Sequence, residues 1–389
     1  MLNKLIRKTP LAWLQVTREK TRLAIALAGI AFADVLMLVQ LGLKDALFDS
    51  AASPYRPLQG ELFIINPLFN NLQTVKSFSR QRLYQAAGVD GVESIRPLYI
   101  GRGEWQNPQT KLSYSILIFG INPNKPVFNL PEANQHLDKL KMLNQVLYDQ
   151  AGRENFFGNV TDTLKHSNSL KVQINDFNIK VVGTFTLGAS FVADGNLISS
   201  DSTFLRLFPE RQPNQIDVGL LKLKPGANIK QVQANLQASL PKDVLVLTLE
   251  EFTAREKAYW SDGSPIGFIF GFGAIIGFIV GIVIVYQILY SDVSEHLPEY
   301  ATLKAMGYGD SYLVGIIIQE SLILAFLGFL PGFVLSTGLY YIARAATLLP
   351  IGMTLSRAVT VLILTIIMCS ASGGIAMRKL QAADPADIF

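Results

Sequence analysis

Two long stretches of this chain contain no charged residue, and they constrain the fold more than any other feature. One runs from Gly263 to Ser291 and the other from Ser321 to Ala343. Each is long enough to cross a bilayer as a helix, which takes roughly 20 apolar residues. Two further apolar stretches, 23–43 and 358–377, are also long enough to span. The sequence therefore predicts a membrane protein with four transmembrane helices.

The composition indicates a large soluble part as well. Only 16% of the 389 residues are charged, whereas a soluble globular protein carries about a quarter. The net charge of +4 is too small to imply a nucleic-acid partner. Cys369 is the single cysteine, so no disulfide can form within the chain.

The apolar runs and the regions between them give a predicted domain order. It comprises an interfacial amphipathic helix at 1–22, the first span at 23–43, a large α/β domain at 44–262, the second span at 263–291, a polar loop at 292–310, the third span at 311–343, a short return loop at 344–357, the fourth span at 358–377 and a tail at 378–389. The third span is too long for one straight crossing, and Pro331 and Gly332 predict a break or kink in it.

The first 22 residues fix the predicted orientation. They combine apolar residues and Trp13 with basic residues, namely Lys4, Arg7, Lys8, Arg18, Lys20 and Arg22. This mixture is typical of an amphipathic helix lying on the membrane. A segment that only sets the orientation of the first span explains it equally well. Basic residues beside a first span place that end in the cytoplasm. Both termini are then cytoplasmic, and the domain at 44–262 lies on the opposite side of the membrane; the long apolar run without a cleavage site argues against a cleavable signal.

The large domain shows alternating strand and helix patterns at its two ends. We predict a βαβ-type core at about 44–123 and 211–262, interrupted by a more irregular inserted lobe at about 124–210. Within the lobe, Asn175 and Asp176 predict the turn of a hairpin. Phe156 and Phe157 are assigned to the core of the lobe rather than to a binding surface.

Charged residues within the predicted spans are candidate functional residues. Asp34 lies in the first span, where a carboxyl group normally faces a bundle interior or a polar cavity. It is interpreted as a headgroup contact, as a partner for a polar group on another span such as Gln287 or Glu320, or as a protonated carboxyl used for packing. Glu320 is expected near the membrane interface.

Small residues recur at helical spacing in the second span. The glycines are Gly267, Gly271, Gly273, Gly277 and Gly281. Glycines four residues apart let two helices approach closely. They predict either the seam of a homodimer or ordinary packing inside one subunit.

The polar loop at 292–310 is held by a span on each side. Tyr300, Leu303, Lys304 and Met306 follow helical spacing, and Gly307 predicts the end of that helix. A short helix across the end of two spans suits force transmission from a soluble partner. A solvated turn that only joins the spans is the simpler interpretation.

The sequence of this loop resembles the coupling-helix region of four-span ABC permeases of the MacB/FtsX/LolC type. Their E-I-x-x-L-K-A-x-G-like run matches Glu299, Leu303, Lys304, Ala305 and Gly307, and a later Q-x-x-x-E-S-like element matches Glu320 and Ser321. The loop sequence resembles even more closely that of the cyanobacterial DevC-type permeases of glycolipid exporters. Pro298 departs from the wider superfamily, where a charged residue is common, and we expect the helix to begin near it.

The resemblance implies a transport subunit of the inner membrane. Its expected partners are a separate ABC ATPase that uses ATP and magnesium, a membrane-fusion adaptor, a TolC-like outer-membrane duct and a second copy of the chain. A glycolipid or another amphiphile is the implied cargo. The residues implied in ATPase coupling are Glu299, Tyr300, Leu303, Lys304, Met306 and Gly307.

Enzyme chemistry is not predicted for this chain. The sequence contains neither a phosphate-binding G-x-x-x-x-G-K-[ST] loop nor a His-Glu-x-x-His motif. We therefore expect no bound cofactor and no metal. The alternative function is that of an FtsX-like signalling subunit that controls a hydrolase, and the size of the middle domain favours an exporter. A receptor without an ATPase is disfavoured by the loop.

Overall fold

The computed structural model describes Trp13 and residues 18–382, with only the backbone of Asp310 and of residues 377–382. Most of the predicted interfacial helix and the last residues of the tail lie outside this part of the chain. The described chain divides into an α/β unit, Leu47–Ser264, and a helical unit formed by the flanking segments. Each unit is described by itself.

Helices and strands begin and end as follows. The helices are α1 (Lys20–Ala51), α2 (Arg80–Ala87), α3 (Pro131–Asn134), α4 (Glu154–Phe157), α5 (Val160–His166), α6 (Asp201–Leu207), α7 (Ile229–Ser239), α8 (Leu249–Ser261), α9 (Pro265–Glu295), α10 (Leu297–Ala305), α11 (Asp310–Thr347) and α12 (Leu355–Ala382). The strands are β1 (Leu62–Ile65), β2 (Phe78–Ser79), β3 (Val92–Gln106), β4 (Ser113–Ile121), β5 (Gln145–Asp149), β6 (Leu170–Ile174), β7 (Phe177–Phe185), β8 (Asn196–Ser200), β9 (Gln215–Ile216), β10 (Val218–Leu223) and β11 (Leu245–Thr248).

The core of the α/β unit consists of two split β-α-β pieces. Strand β10 lies between β1 and β3, and β1 lies between β10 and β11. All of these neighbours pair antiparallel. Helix α2 follows β1 and leads to β3, and helix α7 leads from β10 to β11, so each helix joins two parallel strands that are not adjacent. This arrangement is the ferredoxin-like form of the predicted βαβ-type core.

The inserted region consists of regular strands and helices, which corrects the prediction that it is more irregular than the core, and its strands belong to the same sheet. Strand β8 pairs parallel with β4, and β5 and β7 extend the sheet to β6. Strand β6 then returns to β3, where Trp105 is opposite Ile174. Strands β3, β4, β8, β5, β7 and β6 thus close into a small barrel. Strand β3 makes this possible because it is 15 residues long and continues to Gln106.

Two local predictions for this region are confirmed. Asn175 and Asp176 form the β6–β7 turn with φ angles of 46° and 65°. Asn and Asp tolerate this left-handed conformation better than other side chains. Phe157 is fully buried beside Trp105 and Tyr148 in the barrel, and Phe156 packs against the same core.

A buried carboxylate, Glu256 on α8, joins three parts of the α/β unit. Its Oε2 atom accepts hydrogen bonds from the Tyr55 hydroxyl at 2.7 Å and from the Leu72 backbone N–H at 3.0 Å. Its Oε1 atom accepts from the Trp260 indole N–H at 2.8 Å. Glu256 is 1% exposed. Burial raises the pKa of Glu256 to about 7, and the three donors oppose that rise.

The raised pKa of Glu256 predicts a pH-dependent stability. A carboxyl whose pKa is higher in the folded protein stabilises most when protonated, so its contribution falls as the pH rises from about 4.5 to about 7. The loss is about 3 kcal/mol at most. Replacing Glu256 with Gln should remove this part of the pH dependence, measured by Trp fluorescence during urea unfolding of the whole protein at pH 5 and pH 8. A Glu256→Gln protein with the wild-type pH dependence would contradict the assignment.

The helical unit contains four helices that are long and apolar enough to cross a membrane, within the part of the chain that the structure describes. Helix α12 packs against both α9 and α11. Helix α11 continues through Pro331, so the chain does not break there, and a kink at this position stays a prediction. Neighbouring helices and local adjustments commonly satisfy the backbone around a proline inside a span. The return loop is shorter than predicted, since α11 ends at Thr347 and α12 begins at Leu355.

Candidate functional site

The polar loop forms a short helix, α10, as its residue spacing predicts. It begins at Leu297, with Pro298 in the first helical positions, and this confirms the predicted start. Proline suits that place because the first N–H groups of a helix have no partner within it. The helix ends before Gly307, whose φ of +91° turns the chain into a conformation that favours glycine.

The inner face of α10 anchors it to the neighbouring spans. Tyr300 is fully buried, in a cluster with Val293 near the end of α9 and with Leu313, Ile316 and Ile317 near the start of α11. The side chain of Leu303 is partly buried against this cluster. Tyr300 therefore holds the helix in place, and its side chain is buried rather than exposed to a partner. Its assignment to ATPase coupling stays a prediction.

The outer face of α10 and the turn after it are exposed. Met306 is 62% exposed and Tyr308 is 44% exposed, and the Tyr308 ring lies 4.7 Å from that of Tyr312. Glu299 is also exposed, and its carboxylate lies 3.9 Å from the Arg18 guanidinium. We call Met306, Tyr308 and Tyr312 the apolar knob. Exposed apolar groups beside charged ones are typical of a protein-binding surface.

An ionic network ties the start of α1 to the segment that leads into α10. The Arg22 guanidinium donates to both carboxylate oxygens of Glu295, at 2.8 and 3.2 Å. It also lies 3.3 Å from Asp292 and 3.5 Å from Glu19. The position of α10 is therefore connected to the first span as well as to its own neighbours. Sequence reasoning assigned Arg22 only to the orientation of the chain.

The two predicted intramembrane carboxyl groups lie apart. The Asp34 carboxylate accepts a hydrogen bond from the Thr365 hydroxyl of α12, and Asp34 is fully buried. A side-chain carbon at Gly332 of α11 would be only 2.8 Å from the Asp34 Cβ atom. These contacts support the packing interpretation. Thr365 is the polar partner of Asp34 on another span. Glu320, one of the two partners suggested for Asp34, instead faces Asp292 of α9.

Residues 268–385, which contain α10 and its anchoring cluster, match a family model described as the FtsX-like permease C-terminal. This part of the chain is FtsX-like. The FtsX-like part holds all of the residues assigned to coupling. It also holds Glu320 and the glycines of α9 except Gly267. Among curated proteins no relative matches the chain.

Several solved structures are similar to about half of this chain. The periplasmic region of MacB from Actinobacillus actinomycetemcomitans is 14% identical, with a TM-score of 0.35, covering 50% of this chain and 91% of that one. The extracellular domain of the noncanonic ABC-type transporter YknZ from Gram-positive bacteria is 15% identical, with a TM-score of 0.34, covering 49% and 99%. A domain of a putative permease protein from Porphyromonas gingivalis is 12% identical, with a TM-score of 0.31, covering 50% and 88%.

Most glycines of the second span face other helices of the same chain. A Cβ atom at Gly273 would meet Gln40 at 2.7 Å, and one at Gly277 would meet Leu36 at 3.1 Å. Gly267 is buried as well. These positions support helix packing within the subunit and argue against a role in a dimer seam. A Cβ atom at Gly271 would meet nothing within 4 Å, so this position remains a candidate for contact with a second copy.

Gly281 and Gly271 of the FtsX-like part form a matched pair for mutation. A Cβ atom at Gly281 would overlap the Met368 Sδ atom and would lie 2.8 Å from the Ala33 Cβ atom. We expect Gly281→Ala to lose about 1–3 kcal/mol of stability through overpacking. Gly271→Ala should leave stability unchanged or slightly raised. Thermal unfolding of both variants in detergent checks this, and equal midpoints would contradict the assigned packing.

Two features of the described residues bear on catalysis. Among them, no group of three or more His, Cys, Asp or Glu side chains is arranged to hold a metal ion. The barrel has an open polar depression of about 290 Å³ lined by residues including His136, Lys139 and Lys165. Lys139 donates to the Val182 carbonyl oxygen at 2.8 Å, and Lys165 pairs with Asp162, so both amines are already engaged.

Proposed function

We propose that the chain is the permease subunit of an ABC exporter, driven by a separate ATPase. The observation that carries this proposal is α10. It is a short helix fixed to the ends of two spans, exposes an apolar knob, and lies within the FtsX-like part. A partner that binds Met306 and Tyr308 can displace α10 without unfolding it, because the buried Tyr300 side chain anchors the helix to α9 and α11.

The contacts that anchor α10 can transmit its displacement to the neighbouring spans. A displacement of α10 passes to α9 and α11 through the cluster around Tyr300. It passes to α1 through the ion pairs of Arg22 with Asp292 and Glu295. Near the other end of α1, Asp45 pairs with Arg357 of α12, with a 2.6 Å contact. The spans are thus linked near both ends of α1, so a push at one end moves them together.

The proposed cargo and partners follow from the resemblance of the loop sequence to DevC-type permeases. The cargo is a glycolipid or another amphiphile, moved by a pair of permease subunits with an adaptor and an outer-membrane duct. Both termini lie in the cytoplasm, and the α/β unit works on the far side of the inner membrane. ATP and magnesium are used by the ATPase, and this chain supplies no catalytic residue.

Purification from native membranes tests the proposal. A tagged chain solubilised in mild detergent should retain an ATPase with a Walker A motif, an adaptor and a duct, identified by mass spectrometry. Tagged chain carrying Met306→Asp is the control for contacts through α10, and it should lose the ATPase alone. Recovery of a cell-wall hydrolase in place of the adaptor and duct would support signalling of the FtsX kind. Recovery of no ATPase would overturn both.

A further inference from the structure

Two buried carboxyl groups meet where α9 approaches α11. Asp292 is 7% exposed and Glu320 is 3% exposed. Their side chains lie within hydrogen-bonding range of each other. Asp292 Oδ2 and Glu320 Oε2 are buried, and neither receives a hydrogen bond from an N–H or O–H group of the described residues. Each carboxyl therefore presents an acceptor to a neighbour that is also an acceptor.

The charged groups around this pair favour one of its members. Arg22 of α1 lies 3.3 Å from Asp292 Oδ1, and His296 Nδ1 lies 3.6 Å from the same atom. Two further carboxylates, Glu19 and Glu295, also surround Arg22. The Arg22 guanidinium therefore compensates a negative charge on Asp292, whereas Glu320 lies deeper and contacts no cation this closely among the described residues.

A small cavity lies beside the two carboxyl groups. It has a volume of about 20 Å³ and is lined by Glu19, Arg22, Asp292 and Glu320, with apolar walls from α1, α9 and α11. A buried water needs roughly 10–15 Å³ and two or more polar partners. The cavity is large enough for one water molecule and offers it several polar groups.

We propose that Asp292 and Glu320 form a proton-binding site. Two adjacent carboxylates in a low-dielectric site cannot both be ionised without strong repulsion. One proton removes the repulsion and supplies the missing donor: the Glu320 O–H donates to the ionised Asp292, and a water molecule bound in the cavity would complete the hydrogen bonds. The pair shares this proton, so its titration belongs to the pair as a whole.

The shared proton would form a hydrogen bond between α9 and α11, close to the start of α10, and this bond is lost when the pair is deprotonated. It joins α9 to α11, and His296, whose ring nitrogen lies 3.0 Å from the Asp292 carbonyl oxygen, leads directly into α10. Loss of the proton leaves two repelling charges at this joint. This inference concerns the chain alone and does not depend on the proposed ATPase, adaptor or cargo.

Infrared difference spectroscopy of the full chain in lipid tests the site directly. The C=O stretching band of a protonated carboxyl group lies at a higher frequency than the bands of an ionised carboxylate or of an amide. Wild-type protein at neutral pH should show a component of this band that disappears in Glu320→Gln and persists in Glu299→Gln, the exposed control. Asp34→Asn identifies any component from the first span. A band unchanged by Glu320→Gln would overturn the proposal.

Thermal unfolding across the alkaline range gives a second readout. The amide side chain introduced by Glu320→Gln keeps an N–H donor for Asp292 but carries no titrating proton. The variant should therefore match wild type at neutral pH and lose less stability than wild type as the pH rises. Glu320→Ala should be less stable than wild type at neutral pH, because Asp292 then loses its donor. Misfolding of Glu320→Gln, or an alkaline loss equal to that of wild type, would contradict the shared proton.

Discussion

Changing Met306 to Asp is expected to lower ATP hydrolysis by the assembled complex at least about tenfold. Met306 is the most exposed side chain of the apolar knob. A charge placed at the centre of an apolar contact typically costs about 2 kcal/mol or more, which is more than a tenfold loss. The fold should survive because the side chain touches no core cluster. Leu303 is a poorer position for this test, since it packs partly against the Tyr300 cluster.

The measurement compares ATP hydrolysis by permease and ATPase reconstituted together in lipid. Met142→Asp is the matched control, because Met142 is 64% exposed and belongs to the α/β unit. Its hydrolysis rate should equal that of wild type, and the isolated ATPase should be the baseline. Equal losses for the two variants would remove the coupling role of the knob.

Replacing Glu256 with Ala is expected to destabilise the α/β unit by about 4 kcal/mol at neutral pH. The Tyr55 hydroxyl, the Leu72 N–H and the Trp260 indole N–H would all lose their acceptor. Each unsatisfied buried donor costs about 1–3 kcal/mol, and partial access of water reduces the sum. Urea unfolding followed by the fluorescence of Trp105 and Trp260 measures the effect.

Glu210→Ala is the control for this loss. Glu210 is an exposed glutamate of the same unit, so its removal should change the free energy of unfolding by less than about 0.5 kcal/mol. A loss at Glu256 no larger than that at Glu210 would show that the three hydrogen bonds contribute little.

Local patterns predicted individual elements better than their pairing. The apolar runs predicted all four spans, and proline and glycine predicted where α10 begins and ends. The closed barrel was missed because it depends on long-range pairs, such as Trp105 opposite Ile174. Alternation along a strand indicates which face is buried, but it does not identify the neighbouring strand.

The candidate site shows the same limit. Helical spacing grouped Tyr300 with Met306, but only the packing shows that one side chain faces the core and the other faces solvent. The ion pair of Arg22 joins residues 273 positions apart, and Asp34 and Thr365 are 331 apart. A single sequence gives the charge at each position and carries no signal for its partner.

Crosslinking from α10 tests most directly the claim that a separate ATPase drives this chain. A photoreactive amino acid at position 306, with the same probe at position 142 as reference, is activated in intact cells, and the products are identified by mass spectrometry. We expect position 306 to capture a protein with a Walker A motif and position 142 not to capture it. Capture of that protein from position 142 alone, or of none from position 306, would contradict the claim.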